Sequence, residues 1–222
     1  MLIYCLIIAS LTLFVILLIR AQFAGNRKQI YIFKPLSTTL VIIIAVLSFF
    51  VPDKYNLNYT LVIILGLIFS FGGDIALMFK SKRAFMIGLV LFLIAHVVYS
   101  IVFTVYSGFV KGDLISAVAL IFLAIIIYFY LHPGLEKMKV PVLFYILVIS
   151  FMMNRAISTS SGKFFSDTQA FLISVGAGLF YMSDLILAIN KFRKPFKYHR
   201  ISLAFYYSGQ LLIALSTGFF SY

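Results

Sequence analysis

Two aspartates stand in stretches that otherwise exclude charge. Asp74 lies within "FSFGGDIALMF" (residues 69–79) and Asp184 within "LFYMSDLILAIN" (residues 179–190). An aspartate at the centre of a membrane helix costs about 2.5–3.5 kcal/mol on insertion scales, so it reads as functional by default. Two carboxyls in one desolvated site resist double ionisation: one can keep a proton while the other stays charged. Such a pair can donate a proton and stabilise a developing cation, the division of labour seen in glycoside hydrolysis. Proton-coupled carriers use the same residue type. The plainer alternative is a protonated Asp that hydrogen-bonds a neighbouring helix.

Other polar residues fall near the same level. Asp74 precedes Lys80 by six residues and Asp184 precedes Lys191 by seven. At about 1.5 Å per residue, both carboxyls lie roughly 9–10 Å inside the same end of their helices. Tyr206 and Gln210 are spaced i, i+4 on the last apolar run, with Tyr207 beside them. Tyr181, Ser183 and Asn190 share the run of Asp184, whereas His96 and Tyr99 lie deeper in the fourth. Each has a plain alternative. His96 alone reads as a satisfied core histidine, and the tyrosines as packing or interfacial anchors. Lys34–Pro35 reads as a basic loop residue followed by proline at a helix start. Asn154 and Arg155, late in the sixth run, belong to the opposite half, and their role stays open.

These residues need a membrane frame. The chain has 222 residues, 64% hydrophobic and only 11% charged, too apolar for a soluble domain. The expected fold is all-α: one polytopic domain over residues 1–222 with eight transmembrane helices. Runs of about 20 apolar residues place them at 2–20, 34–51, 59–79, 84–106, 113–131, 140–159, 167–190 and 200–220. Fourteen of the eighteen Lys and Arg residues follow runs one, three, five and seven; Lys54, Lys111, Arg155 and Lys163 fall on the other side. The positive-inside rule then puts both termini outside the cytoplasm, N-out and C-out. The same placement assigns the net charge of +12 to topology and anionic membrane lipids, and no nucleic-acid partner is expected. The single cysteine, Cys5, excludes an intramolecular disulfide. The first run lacks a basic leader and a cleavage site and reads as a retained span. A shift of 110 residues lays "GDIAL" (73–77) on "SDLIL" (183–187) and His96 on Tyr206, a candidate 4+4 parallel internal repeat.

Several motifs together resemble a known family. "KPL" at the start of run two, "GDIALM" ending run three and "AHVVYS" in run four are similar to the YhhN family. So are "YMSDLILAINKF" ending run seven and "YYSGQLLIALS" in run eight. The resemblance covers nearly the whole chain, and its characterised members are lysoplasmalogenases. It implies hydrolysis of the vinyl ether bond of lysoplasmalogens, giving a fatty aldehyde and a glycerophospho-alcohol. It implies that Asp74 and Asp184 are the paired catalytic acids. Lys34, His96, Tyr99, Tyr181, Ser183, Asn190, Tyr206, Tyr207 and Gln210 are candidates to bind a lysophospholipid substrate. No metal or other cofactor is required for that chemistry, and a bacterial cytoplasmic membrane is the expected location. Oligomeric state, headgroup and the division of roles between the two aspartates stay open. A zinc hydrolase needs three protein ligands, and of the three histidines only His96 lies within an apolar run. A proton-coupled transporter or a lipid-sensing membrane protein is the alternative from another class.

Overall fold

The computed structural model describes residues 2–51 and 55–218. Lys54 and the last two residues of the eighth expected span lie outside them. The described residues form eight α-helices and no strand: α1 (Leu2–Ala24), α2 (Arg27–Leu47), α3 (Leu57–Ala76), α4 (Lys82–Ser107), α5 (Asp113–Leu131), α6 (Lys139–Ser158), α7 (Asp167–Phe192) and α8 (Ser202–Leu215). Helices are what lipid demands, because each satisfies its backbone donors and acceptors internally. Seven, α1 to α7, are long and apolar enough to cross a membrane, and the protein is an integral membrane protein. At 14 residues α8 is shorter, though 3-10 turns at His199–Ile201 and Ser216–Gly218 adjoin its ends.

Polar caps set the boundaries. The side chains of Asn26, Asn56, Ser81 and Ser166 each accept a backbone N–H from the first turn of α2, α3, α4 and α7 respectively. Gly25, at φ +68°, takes the left-handed turn that lets α1 reverse into α2. Two expectations need correction. The second helix begins at Arg27, not residue 34, so Lys34 is a buried residue of the helix interior and Pro35 follows it inside α2. Arg, Lys and Gln are good helix formers, so the helix runs on through a polar segment that hydropathy excludes. Helix α3 ends at Ala76, not residue 79, which puts Asp74 in its last turn and makes the depth counted from Lys80 too great.

Sequence neighbours pack as pairs, α1 on α2, α3 on α4, α5 on α6 and α7 on α8, while α4 packs on α6 and α2 on α8. Lipid tails supply little hydrophobic drive between helices, so close backbone approach matters more. A Cβ on Gly176 would sit 2.9 Å from the Gly209 carbonyl, and one on Gly209 would sit 2.7 Å from the Gly176 carbonyl. Glycine at both positions is what brings α7 and α8 together.

The end of the bundle farther from the aspartates is closed by a buried ion pair. Arg155, fully buried, donates from Nη1 to Asp113 Oδ2 at 2.7 Å, and from Nη2 to Ser107 Oγ at 3.2 Å and to the Gly108 carbonyl. Asn154 donates to the Asp113 carbonyl at 2.9 Å, and Ser158 donates to Asp113 Oδ1. This cluster ties α6 to the end of α4 and the start of α5. Its geometry is that of a structural clasp.

Candidate active site

Asp74 is held by three helices. The end of α3 leaves carbonyls without partners: the Met78 N–H bonds Ile75, one residue past the α-helical partner Asp74. Lys34 on α2 fills the gap, donating from Nζ to the Asp74 carbonyl at 3.0 Å and pairing with Asp74 Oδ1 at 3.2 Å. One turn along α2, Thr38 donates to Asp74 Oδ2 at 2.6 Å, and Tyr206 on α8 donates to the same oxygen at 2.8 Å. Behind them Tyr207 donates to the Lys34 carbonyl at 3.1 Å. Three of the carboxylate's roughly four acceptor directions are taken, and one on Oδ1 stays open. Asp74 is thus buried with a cation and two hydroxyl donors on its carboxylate.

Asp184 lies two turns inside the end of α7 and has different company. Tyr145 on α6 donates to Asp184 Oδ2 at 2.5 Å, and His96 Nε2 on α4 lies 3.7 Å from that oxygen, beyond hydrogen-bond length. No lysine or arginine within the described residues pairs with it. The His96 ring sits edge-on to Phe180 and Tyr145, with centroids 4.6 and 5.3 Å away. The two carboxyls therefore differ: one is neutralised by a lysine, the other is not.

Both aspartates line one cavity of about 410 Å³, within the usual range of ligand sites. Lys34, Ser183, Asn190 and Tyr206 line it as well, and Lys80, Lys82, Lys191 and Arg200 give its wall a basic character. A second, apolar slot of about 70 Å³ runs between α4, α5, α6 and α7, lined by Leu89, Ile127, Ile146, Ile149 and Tyr181 among others. The two spaces share Leu77, Phe85, Phe92, Asp184 and Leu187. A polar basin thus meets an apolar slot at Asp184.

Residues 29–217 match the YhhN family. The chain belongs to the YhhN family. It is also similar to two proteins named lysoplasmalogenase TMEM86A: 32% identical over 158 residues to that of Bos taurus, and 33% identical over 160 residues to that of Homo sapiens. Each alignment covers 69% of this chain, which spans 64% of the length of those relatives. No solved structure is similar enough to count as a match. Both relatives are mammalian and lend no support to a bacterial membrane.

In this YhhN-family chain the sequence candidates fall into two layers. Asp74, Asp184, Lys34, Ser183, Asn190 and Tyr206 face the basin, Tyr181 faces the slot, and His96 adjoins Asp184. Tyr99 and Gln210 lie outside both linings and hydrogen-bond each other at 3.1 Å, and Tyr207 supports Lys34 from behind. Thr38, Tyr145 and Arg200 are missing from the sequence candidates. Thr38 had one available signal, its i, i+4 spacing from Lys34; Tyr145 had only a hydroxyl in an otherwise apolar stretch.

Proposed function

We propose that the protein hydrolyses the vinyl ether bond of alkenyl-lysoglycerophospholipids, releasing a fatty aldehyde and a glycerophospho-alcohol. The observation that carries this reading is the meeting of a basic basin and an apolar slot at Asp184, with Asp74 on the same basin wall. The headgroup occupies the basin, the alkenyl chain enters the slot, and the ether linkage lies at their junction. The two similar proteins, both named lysoplasmalogenases, point to the same chemistry.

Asp184 is the proton donor and Asp74 the resident anion. Protonated Asp184 gives its proton to the β-carbon of the vinyl ether, leaving an oxocarbenium ion and the Asp184 carboxylate. Tyr145 keeps Oδ2 engaged through the transfer. Asp74, paired with Lys34 and hydrogen-bonded by Thr38 and Tyr206, faces the cation and orients water through its open acceptor direction. Water adds to the α-carbon and its proton returns to Asp184. The hemiacetal then breaks its bond to the glycerol oxygen, which takes the hydroxyl proton. One water is consumed, and aldehyde and alcohol leave.

The frame is read as eight spans in two four-helix repeats, with the basin facing the cytoplasm and both termini on the far side. Under the 110-residue shift the contact of His96 with Asp184 becomes that of Tyr206 with Asp74, and the Gly66–Tyr99 approach becomes the Gly176–Gly209 approach. The first two pairs cross between the repeats, which suits a site shared between them.

The test is aldehyde release by the purified protein in detergent, where transport cannot occur. Alkenyl-lysophospholipid should yield aldehyde, whereas the saturated alkyl ether should yield none. A folded protein inert on every alkenyl headgroup would move the function to transport or lipid sensing.

A further inference from the structure

His96 stands beside Asp184 with nothing to bond. It is fully buried on α4, and neither ring nitrogen has a hydrogen-bond partner among the described residues. An imidazole always carries at least one N–H, and a buried donor left unmade costs stability, so such an orphan calls for an explanation. Phe180 and Tyr145 hold the ring edge-on, with Nε2 3.7 Å from Asp184 Oδ2. The Tyr145 hydroxyl takes one of the two acceptor directions on that oxygen and leaves the other open. His96 lines neither the basin nor the slot. It therefore reaches neither substrate nor basin water, and any part it has in the chemistry passes through Asp184.

A protonated, neutral Asp184 gains little from a second donor. The carboxylate left after proton transfer gains much more, because a hydrogen bond to an ionised acceptor is shorter and about twice as strong. We propose that His96 is a positioning residue that carries a proton on Nε2 and donates a hydrogen bond to Oδ2 of ionised Asp184, closing the gap once the acid has given up its proton. The Asp184 O–H bond breaks, the C–H bond at the β-carbon forms, and the electron pair stays on the carboxylate. The His96 N–H bond is never broken. When the proton of the attacking water returns to Asp184, the contact opens again. A bond that is stronger in the transition state than in the ground state lowers the barrier without tightening substrate binding. The proposal rests on the reading of Asp184 as proton donor and adds a residue to it.

The test compares His96→Leu and His96→Gln with the parent in aldehyde release and in affinity for the uncleavable 1-alkyl ether. His96→Leu should lower kcat about ten- to hundredfold, the scale of a hydrogen bond to a charged group, with KM and alkyl ether affinity unchanged. His96→Gln, whose amide is an N–H donor of similar reach, should recover most of that loss. In an Asp184→Asn background His96→Leu should cost nothing further, because the carboxylate it serves is gone. Nitrogen-15 NMR of histidine-labelled, ligand-free protein reads the proton directly and needs no turnover; the signal missing from His96→Gln is that of His96. It should show a proton on Nε2. A proton on Nδ1 alone, parent-like kcat in His96→Leu, or a His96→Gln protein no faster than His96→Leu would overturn the proposal. A parent that releases no aldehyde, with the proton on Nε2, would sink the hydrolase reading and leave the donor in place.

Discussion

The two aspartates are chemically unequal because of what stands beside them. Asp74 has a lysine, a threonine and a tyrosine; Asp184 has a tyrosine and, just out of bonding range, an unpartnered histidine. In the proposed mechanism that difference gives the proton to Asp184. Removing the hydroxyl that orients it should cost less than removing the acid: Tyr145→Phe should lower kcat about tenfold with KM little changed, against the 10²–10⁴ of a general acid. A rise in KM alone, measured over a substrate titration, would make Tyr145 a binding residue instead. The carboxyls were legible in the sequence because charge is expensive in lipid and rarely placed there without cause. Thr38 was not, since a helix threonine can bond its own backbone and needs no partner elsewhere, and Tyr145 was not, since a tyrosine in an apolar run also reads as packing or an interfacial anchor. Lys34 was legible as a residue of interest, but its place was misjudged, because a lysine beside a proline looks like a loop.

At the scale of elements, helix ends do the positioning. The early end of α3 leaves a free carbonyl for Lys34, and the glycine contact between α7 and α8 brings Tyr206 to the basin that Asp184 lines. Helix α5 coincides with its apolar run, and α4 and α6 begin and end within two residues of theirs, although the fifth and sixth runs have the least sharp borders and α6 carries Asn154 and Arg155. Hydropathy missed the start of α2, where basic helix-forming residues continue a helix beyond its apolar run. It also overran α3, whose last apolar residues form a turn. The clasp at the far end holds α6 against α4 and α5, away from the basin. Asp113→Ala leaves the buried Arg155 without its counter-charge and should destabilise the protein by about 3–5 kcal/mol, seen as a lower unfolding midpoint in detergent. Adding Arg155→Met should recover much of that loss. A single substitution as stable as the parent would mean the clasp contributes nothing.

The whole molecule is an apolar bundle with one polar basin at the end where most of its basic residues gather. Its all-helical membrane class could be read from composition, since no soluble fold hides so much apolar surface. The joining of basin and slot could not, because it depends on how sequence-distant helices meet. The proposed orientation predicts that, in a Cys5→Ser background, Lys194→Cys is labelled by an impermeant maleimide from the cytoplasmic side. Lys163→Cys is then labelled only from the other; the reverse pattern in sealed vesicles of known sidedness would invert the topology. In the proposed mechanism one basin holds an acid and an anion that cleave a vinyl ether together. The most direct measurement is the rate of aldehyde release from alkenyl-lysophospholipid by the purified parent, Asp184→Asn and Asp74→Asn, each checked for folding. Asp184→Asn should lose about 10²–10⁴ in rate, and Asp74→Asn should lose activity severely with substrate affinity retained. Parent-like rates in a folded Asp184→Asn protein would contradict that mechanism.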